Sequence, residues 1–318
     1  MAAAIALAGR GRARTASNPN VGCILVKDRR VIGRGWTQPG GRPHAEAMAL
    51  GQAGKAARGC TAYTSLEPCA HVSERGPACA DSLISAGVAR VVSAALDPDK
   101  RTNGQGLERI EASGIAVESG LLAAEARLAM AGWWSRETRG RPFVTLKLAT
   151  SLDGCIALAS GESRWITGEA ARAHGHLERA RANMIIVGRG TLEADTPRLD
   201  VRLAGLAERS PRKGLLTGGK APTGWETVSS PHAIEDLKGI DWILVEGGAA
   251  TAASFLKAGL VDRLLLYRAP ITIGAGHASL GDIGLSRMTD AHDQWRRTDT
   301  RQLGSDMLDI YERVDKGL

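Results

Sequence analysis

The chain has 318 residues, 43% hydrophobic and 24% charged, with a net charge of +7; this length suits about two domains, and the composition excludes a disordered or low-complexity chain. No apolar run approaches the roughly 20 residues that span a bilayer, and five scattered cysteines (Cys23, Cys60, Cys69, Cys79, Cys155) do not make the even framework of a disulfide-stapled secreted domain. The basic balance favours anionic ligands such as nucleotides and phosphosugars, but the Lys and Arg are dispersed, without the stripe or motif of a nucleic-acid binder.

The opening "MAAAIALAGRGRAR" carries its arginines after the apolar stretch, the reverse of a secretory signal. It predicts an amphipathic first helix and a cytoplasmic protein. "VGCILV" and "VIGRGW", joined by "KDRR", predict a hairpin. "HAEAMALGQAG" predicts a helix ending at glycine, "TAYTS" a strand, "ACADSLISAG" a second helix with a glycine stop and "VARVVSAAL" another strand. "GLERIEASG" and "IAVESG" repeat the alternation, and "LAAEARLAMAGWWSRETRG" reads as one helix fading into charge. The polar "RETRGRP", residues 136–142, separates two apolar regions and marks a boundary between domains at 1–138 and 142–318.

Beyond it "FVTLKLAT" predicts a strand, "GEAARAHGHLERARA" a helix capped by Thr167, and "MIIVG" a buried strand. "DWILVEGGAATAASFLKAGLVDRLLLYRAP" reads as strand, glycine turn, helix, strand, and "MLDIYERV" as a last strand. Strands alternating with helices indicate an α/β class in both halves. "LAERSPRKGLLTGGKAPTGWE", rich in Gly, Pro and Lys, shows no period that orders it.

His44, Cys69 and Cys79 are the chemistry-bearing residues of the first half. One imidazole and two thiolates suit zinc and leave a fourth tetrahedral position for water, which the metal activates near neutral pH. Hydrolytic deamination also needs protons moved to the ring and to departing ammonia, and Glu46, two residues after His44 at a helix start, is placed to carry them. Cys79 opens another helix, where the dipole favours thiolate. The H-x-E…P-C-x-x-C signature of zinc nucleobase deaminases matches at "HAE" and "EPC", but nine residues separate the two cysteines instead of two. Two plainer readings stand beside this one: a structural zinc site closed by His71, and buried cysteines of an ordinary core.

"SNPNVGCILVKD", "PHAE", "TSLEPCAH" and "PACADSLISAGVARVV" resemble the deaminase half of the bifunctional riboflavin-biosynthesis deaminase/reductase family, including its long cysteine spacing. The resemblance implies a cytidine-deaminase-like three-layer domain acting on diaminohydroxyphosphoribosylaminopyrimidine, with zinc on His44, Cys69 and Cys79 and Glu46 as proton shuttle. Asn18 and His71 would hold the substrate. The inter-cysteine "VSERGPA" departs from the lysine-containing segment usual in the family, with Arg75 a candidate replacement.

"PFVTLKLATSLDGCIA", "SGESRWIT", "VGRGTLEADTPRLDVR" and "VEGG" resemble the family's reductase half, a dihydrofolate-reductase-like α/β domain, in the same order. Gly247 and Gly248, between a strand and a helix start, would let a pyrophosphate approach backbone N–H groups, although a Gly-Gly turn is often only a turn. The resemblance places NADPH along Ala149, Trp165, Thr191, Asp195 and Gly248, Ala249, Ala250, Thr251, Ala252, Ala253 and Ser254. It places the phosphorylated pyrimidine substrate on Ser163, Arg179, Leu199, Arg202 and Glu246, the two arginines matching a ribose phosphate. It also implies a homo-oligomer assembled through the reductase domain. The region from about 203 to 240 looks short for the family, with Thr217 as a substitute cofactor contact, and this leaves the adenosine end of the site open. Three other readings remain at this point: a deaminase whose second domain only binds nucleotide; a nucleic-acid-editing deaminase, disfavoured by the long cysteine spacing; and a zinc-stabilised binding module without catalysis.

Overall fold

The structure, a computed structural model, describes residues 1–71 and 76–314. It divides into two compact units, Met1–Arg141 and Pro142–Leu318.

The first unit runs α1 (Ala2–Ala8), β1 (Gly22–Lys27), β2 (Arg30–Trp36), α2 (Ala45–Ala53), β3 (Thr61–Thr64), α3 (Cys79–Ala86), β4 (Arg90–Ser93), α4 (Gln105–Ala112), β5 (Ala116–Ser119), α5 (Ala123–Ala129) and α6 (Ala131–Arg139). Its sheet has the order β2-β1-β3-β4-β5. The hairpin β1–β2 turns at Asp28 and Arg29, both at positive φ; β1 pairs antiparallel with β3, and β3, β4 and β5 are parallel. Two glycines show how helices cover both faces. A Cβ on Gly22 would lie 1.9 Å from the Ala4 carbonyl of α1, and one on Gly35 would lie 2.0 Å from the Ala45 carbonyl of α2. Gly35 pairs with Cys23, the neighbour of Gly22, so α1 and α2 press on opposite faces. The result is the expected helix–sheet–helix layering.

The single helix expected after β5 is two helices. Met130, fully buried and non-helical (φ −109°, ψ 16°), breaks it, and the break lets Ala126 and Trp133 both reach the core. The polar stretch expected as a linker is helical through Arg139 and stops at Gly140.

The second unit contains β6 (Phe143–Thr150), β7 (Cys155–Ala157), α7 (Glu169–Arg179), β8 (Met184–Gly188), α8 (Arg189–Asp195), β9 (Arg212–Leu216), β10 (Glu226–Val228), β11 (Trp242–Val245), α9 (Ala249–Lys257), β12 (Arg263–Arg268), β13 (His277–Ala278), β14 (Trp295–Leu303) and β15 (Asp306–Arg313). Eight strands form one sheet, β10-β9-β8-β11-β6-β12-β15-β14. The six from β10 to β12 are parallel; β15 and β14 close the edge antiparallel. β8, β11 and β6 lie side by side as near-continuous apolar strands, as a sheet covered on both faces requires. Their carboxyl ends, where successive connections leave in opposite directions, are the usual ligand crevice of an α/β sheet.

Two local expectations are corrected. Thr167 does not cap α7: Gly168 is the N-cap residue, and its N–H donates to Asp306 Oδ2 at 2.6 Å. The unordered stretch "LAERSPRKGLLTGGKAPTGWE" contains β9, and its last residue opens β10.

Candidate active sites

In the first unit His44 is the N-cap residue of α2, extended at φ −71° and ψ 164°, so its ring leaves the helix axis while Glu46 sits in the first turn. Cys79 is the first residue of α3, and Cys69 lies in the loop after β3. The three ligand atoms lie within 4.8 Å of one another. His44 Nδ1 is 3.2 Å from Cys79 Sγ and 3.7 Å from Cys69 Sγ. Zn–S near 2.3 Å and Zn–N near 2.0–2.1 Å imply tetrahedral N···S edges of about 3.6 Å, so the residues fit the metal. His44 Nε2 is buried with no hydrogen-bond partner among the described residues, which leaves Nδ1 as the nitrogen turned to the sulfurs.

Hydrogen bonds from the Cys79 thiol, from His44 and from the Cys79 N–H hold Cys69 down at about 4, overcoming its burial, while the same thiol contact and burial push Cys79 up. Burial pushes the Glu46 carboxyl up against the pull of His44. It is 3% exposed and contacts Cys79. A carboxyl with a raised pKa beside the His44, Cys69 and Cys79 side chains has the chemistry of a proton carrier.

Asn18 and His71 line the same cavity as His44, Glu46 and Cys69. Arg75 lies outside the described residues. Sequence reasoning missed Asp97, Asp99, Arg101 and Trp133 on the cavity wall, and the role of Glu67. The buried Glu67 carboxylate accepts N–H groups from Asp97 (3.1 Å) and Gly104 (2.9 Å) on Oε2, and from Gly106 (2.9 Å) and Leu107 (3.3 Å) on Oε1. It thereby fastens the loop carrying Cys69 to the N-terminus of α4, where the backbone donors have no helical partners.

In the second unit two cavities of about 510 and 930 Å³ open at the ends of β6, β8 and β11 and share Lys147, Ala149, Ser163, Thr191, Asp195 and Glu246. The smaller is also lined by Trp165, Arg179, Leu199 and Arg202. The larger takes in Gly247, Gly248, Ala249, Ala250, Thr251 and Ser254. Ala252 and Ala253 do not reach it. Both are buried, Ala252 in the core beneath the helix, because at about 3.6 residues per turn a run of seven cannot all face one cavity.

Glu246, at the end of β11, accepts both Nε and Nη2 of Arg179 at 2.8 Å, with Lys147 Nζ at 3.9 Å. Burial opposes its charge, yet the Arg179 hydrogen bonds and Lys147 hold its carboxyl below the ordinary range. Arg179 Nη1 reaches the Asp200 carbonyl at 3.2 Å, so three of its five N–H donors are engaged, whereas Arg202 at the rim is 54% exposed. Trp165 is 65% exposed, with the Arg172 guanidinium 4.8 Å from its ring centre. Lys147, Arg172, His176 and Tyr267 line the smaller cavity and were not found from sequence.

The larger cavity, about 930 Å³ with the start of α9 in its wall, has room for a dinucleotide. A Cβ on Gly247 would lie 2.4 Å from Thr251 Cβ, and one on Gly188 would lie 2.1 Å from Thr251 Oγ1. The chain is therefore drawn tight around the start of α9, whose first N–H groups have no internal acceptors. The Gly248 N–H donates to Thr191 Oγ1 at 3.1 Å.

Residues 1–95 match the family described as cytidine and deoxycytidylate deaminase zinc-binding region, and residues 142–223 and 221–308 match the RibD C-terminal domain. The Escherichia coli riboflavin biosynthesis protein RibD is 37% identical, with 96% of each chain covered; its Aquifex aeolicus counterpart is 35% identical over 98% of this chain and 97% of its own. The chain belongs to the RibD family of riboflavin biosynthesis proteins. Among solved structures, Acinetobacter baumannii RibD superposes with a TM-score of 0.88 at 34% identity, covering 99% of this chain and 98% of its own. A Thermotoga maritima protein described as a diaminohydroxyphosphoribosylaminopyrimidine deaminase/5-amino-6-(5-phosphoribosylamino)uracil reductase gives 0.88 at 30% identity, over 99% and 97%. Deaminase and reductase domains are both present, so the protein is a bifunctional enzyme of riboflavin biosynthesis that uses zinc and NADPH. The Escherichia coli alignment runs to 356 positions, more than the 318 residues of this chain, so the relative carries segments that this chain lacks.

Proposed function

We propose that the first unit, residues 1–138, deaminates diaminohydroxyphosphoribosylaminopyrimidine and that the second, residues 142–318, reduces the ribosyl group of the product to ribityl. One observation carries the first step: His44, Cys69 and Cys79 converge within 4.8 Å beside a buried Glu46, and His44, Glu46 and Cys69 line a cavity with Asn18 and His71. Zinc, held by His44 Nδ1 and the two sulfurs, supplies an activated water. Glu46 would pass one proton from the attacking water to the ring nitrogen as the C–O bond forms, then pass the second, from the new hydroxyl, to the amine, so that the C–N bond breaks, ammonia leaves and a carbonyl remains. Asn18 and His71 orient the pyrimidine, and the Glu67 carboxylate keeps the Cys69 loop in place.

In the second unit NADPH supplies hydride. Gly248, Ala249, Ala250, Thr251 and Ser254 cradle its pyrophosphate at the start of α9, while Ala149, Trp165, Thr191 and Asp195 flank the remainder. Arg202, exposed at the rim, takes the substrate phosphate. Arg179 fixes Glu246, which accepts hydrogen bonds from the sugar hydroxyls, and Ser163 and Leu199 complete the wall. The main task of these side chains is alignment of donor and acceptor carbon.

No helix among the described residues is long and apolar enough to cross a membrane, and cytoplasmic residence is part of this proposal. So is homo-oligomerisation through the second unit; Leu152 and Ile271, both exposed and joined by a backbone hydrogen bond, are apolar surface that supports it.

The test is an assay of the zinc-loaded chain with the diaminopyrimidine ribosyl phosphate, following ammonia and NADPH absorbance together. Ammonia release with stoichiometric NADPH loss is expected. Ammonia alone would reduce the second unit to a nucleotide-binding domain, and silence in both channels would refute the proposal.

A further inference from the structure

The larger cavity of the second unit has a charge asymmetry that the reading above does not use. Its lining holds two Lys or Arg side chains, Lys147 and Arg189. Lys147 faces Glu246 at the substrate end. Arg189 is at the far end, beyond the glycine turn, where β8 gives way to α8 and Leu216 ends β9. With the pyrophosphate at the start of α9 and the nicotinamide beside the shared wall, the adenosine ribose falls at the Arg189 end.

The Arg189 guanidinium is held but not consumed. Nη2 donates to Thr217 Oγ1 at 2.5 Å, and the Gly219 N–H donates to the same oxygen at 3.2 Å. A Cβ on Gly219 would lie 3.0 Å from Nη2, so the bare turn after β9 leaves room for the guanidinium. Nη1 is 3.9 Å from Glu193 Oε1, too far for a hydrogen bond. Both side chains of that pair are more than half exposed, at 54% and 65%, so the contact is weak and easily displaced. Thr217 takes one Nη2 hydrogen and with it one of the fork's two bidentate edges, so the other edge is open to a phosphate, which such a fork binds bidentately.

We propose that Arg189 binds the 2′-phosphate of NADPH and sets the preference of the reductase for NADPH over NADH. Thr217, expected from sequence to touch the cofactor, acts here as the positioning residue that lays Arg189 across the β9 turn. The proposal rests on the reading that this cavity holds the dinucleotide. It also accounts for the adenosine end that the short 203–240 region left open: the phosphate ligand comes from the start of α8 instead.

Calorimetric titration of the full zinc-loaded chain, without pyrimidine substrate, tests this with NADPH, NADH, 2′,5′-ADP and ADP. Wild type is expected to bind the 2′-phosphorylated member of each pair more tightly. Arg189→Ala should cut that ratio by roughly ten- to a hundredfold, the loss of a charge-assisted bidentate contact, while NADH and ADP affinities stay within about twofold. Arg189→Lys should retain an intermediate ratio, since a point charge replaces the fork. An unchanged ratio in Arg189→Ala, including an equal loss for all four ligands, overturns the assignment while leaving the cavity reading intact. Wild type that binds none of the four overturns both.

Discussion

Glu67 offers the sharpest test of how the deaminase site is built. Its two carboxylate oxygens each accept two backbone N–H groups, Asp97 and Gly104 on one, Gly106 and Leu107 on the other. Glu67→Gln keeps the shape but turns one oxygen into an NH₂ group. Whichever end the nitrogen takes, it meets two N–H donors, and two donors near the buried carboxylate lose their acceptor. At about 1–3 kcal/mol for each such group, the cost is roughly 2–6 kcal/mol. For a unit of this size that lowers its melting temperature by on the order of 10 °C. The damage is directional, because a Cβ on Gly106 would lie only 1.9 Å from the Pro68 carbonyl; loosening α4 releases the backbone next to Cys69. Hydrogen exchange at the Gly104, Gly106 and Leu107 amides should accelerate, and a chelator should strip zinc faster, with NADPH binding by the second unit unchanged as the internal control. A variant that melts within about 2 °C of wild type with unaltered exchange would show that Glu67 does not hold the loop.

Glu46→Gln should keep its zinc by metal analysis and lose ammonia release by about 10²- to 10⁴-fold; more than a tenth of wild-type activity at equal zinc would remove Glu46 from proton transfer. Arg202→Ala should raise the KM of the reductase substrate with little change in NADPH affinity, and the reverse pattern in titrations would move the substrate phosphate elsewhere. Hydrogen bonds from Ser151 and from the Gly274 and Ile273 N–H groups hold the Asp153 carboxyl down at about 2. Because this lies below the ordinary value near 3.9, its contribution is complete above about pH 4 and lost as pH falls toward about 2. Protection of the Ile273 and Gly274 amides, taken against the unstructured exchange rate at the same pH, should fall in that window and stay level in Asp153→Asn.

What was legible in the sequence follows the range of the interaction. His44, Glu46 and Cys79 were readable because their chemistry is tied to helix starts, a local signal, and the side chains of His44, Cys69 and Cys79 meet as expected. The hairpin at Asp28–Arg29 and the glycine stops at Gly54 and Gly87 were readable for the same reason. Glu67 stood in view beside Cys69, yet its four donors come from residues 30 to 40 positions later, and no pattern in the chain announces them. β14 was missed because "WRRTDTRQL" sits at an exposed sheet edge and has no apolar alternation to read. Arg179 shows the deeper limit. Its residue type suggested a phosphate ligand, and nothing in the sequence shows that three of its five N–H donors go to Glu246 and the Asp200 carbonyl. Arg189 was passed over, yet keeps donors free where the cofactor's far end falls. A guanidinium's capacity for ligand is what remains after its tertiary partners are satisfied, and that remainder separates an arginine that shapes a site from one that reads a substrate.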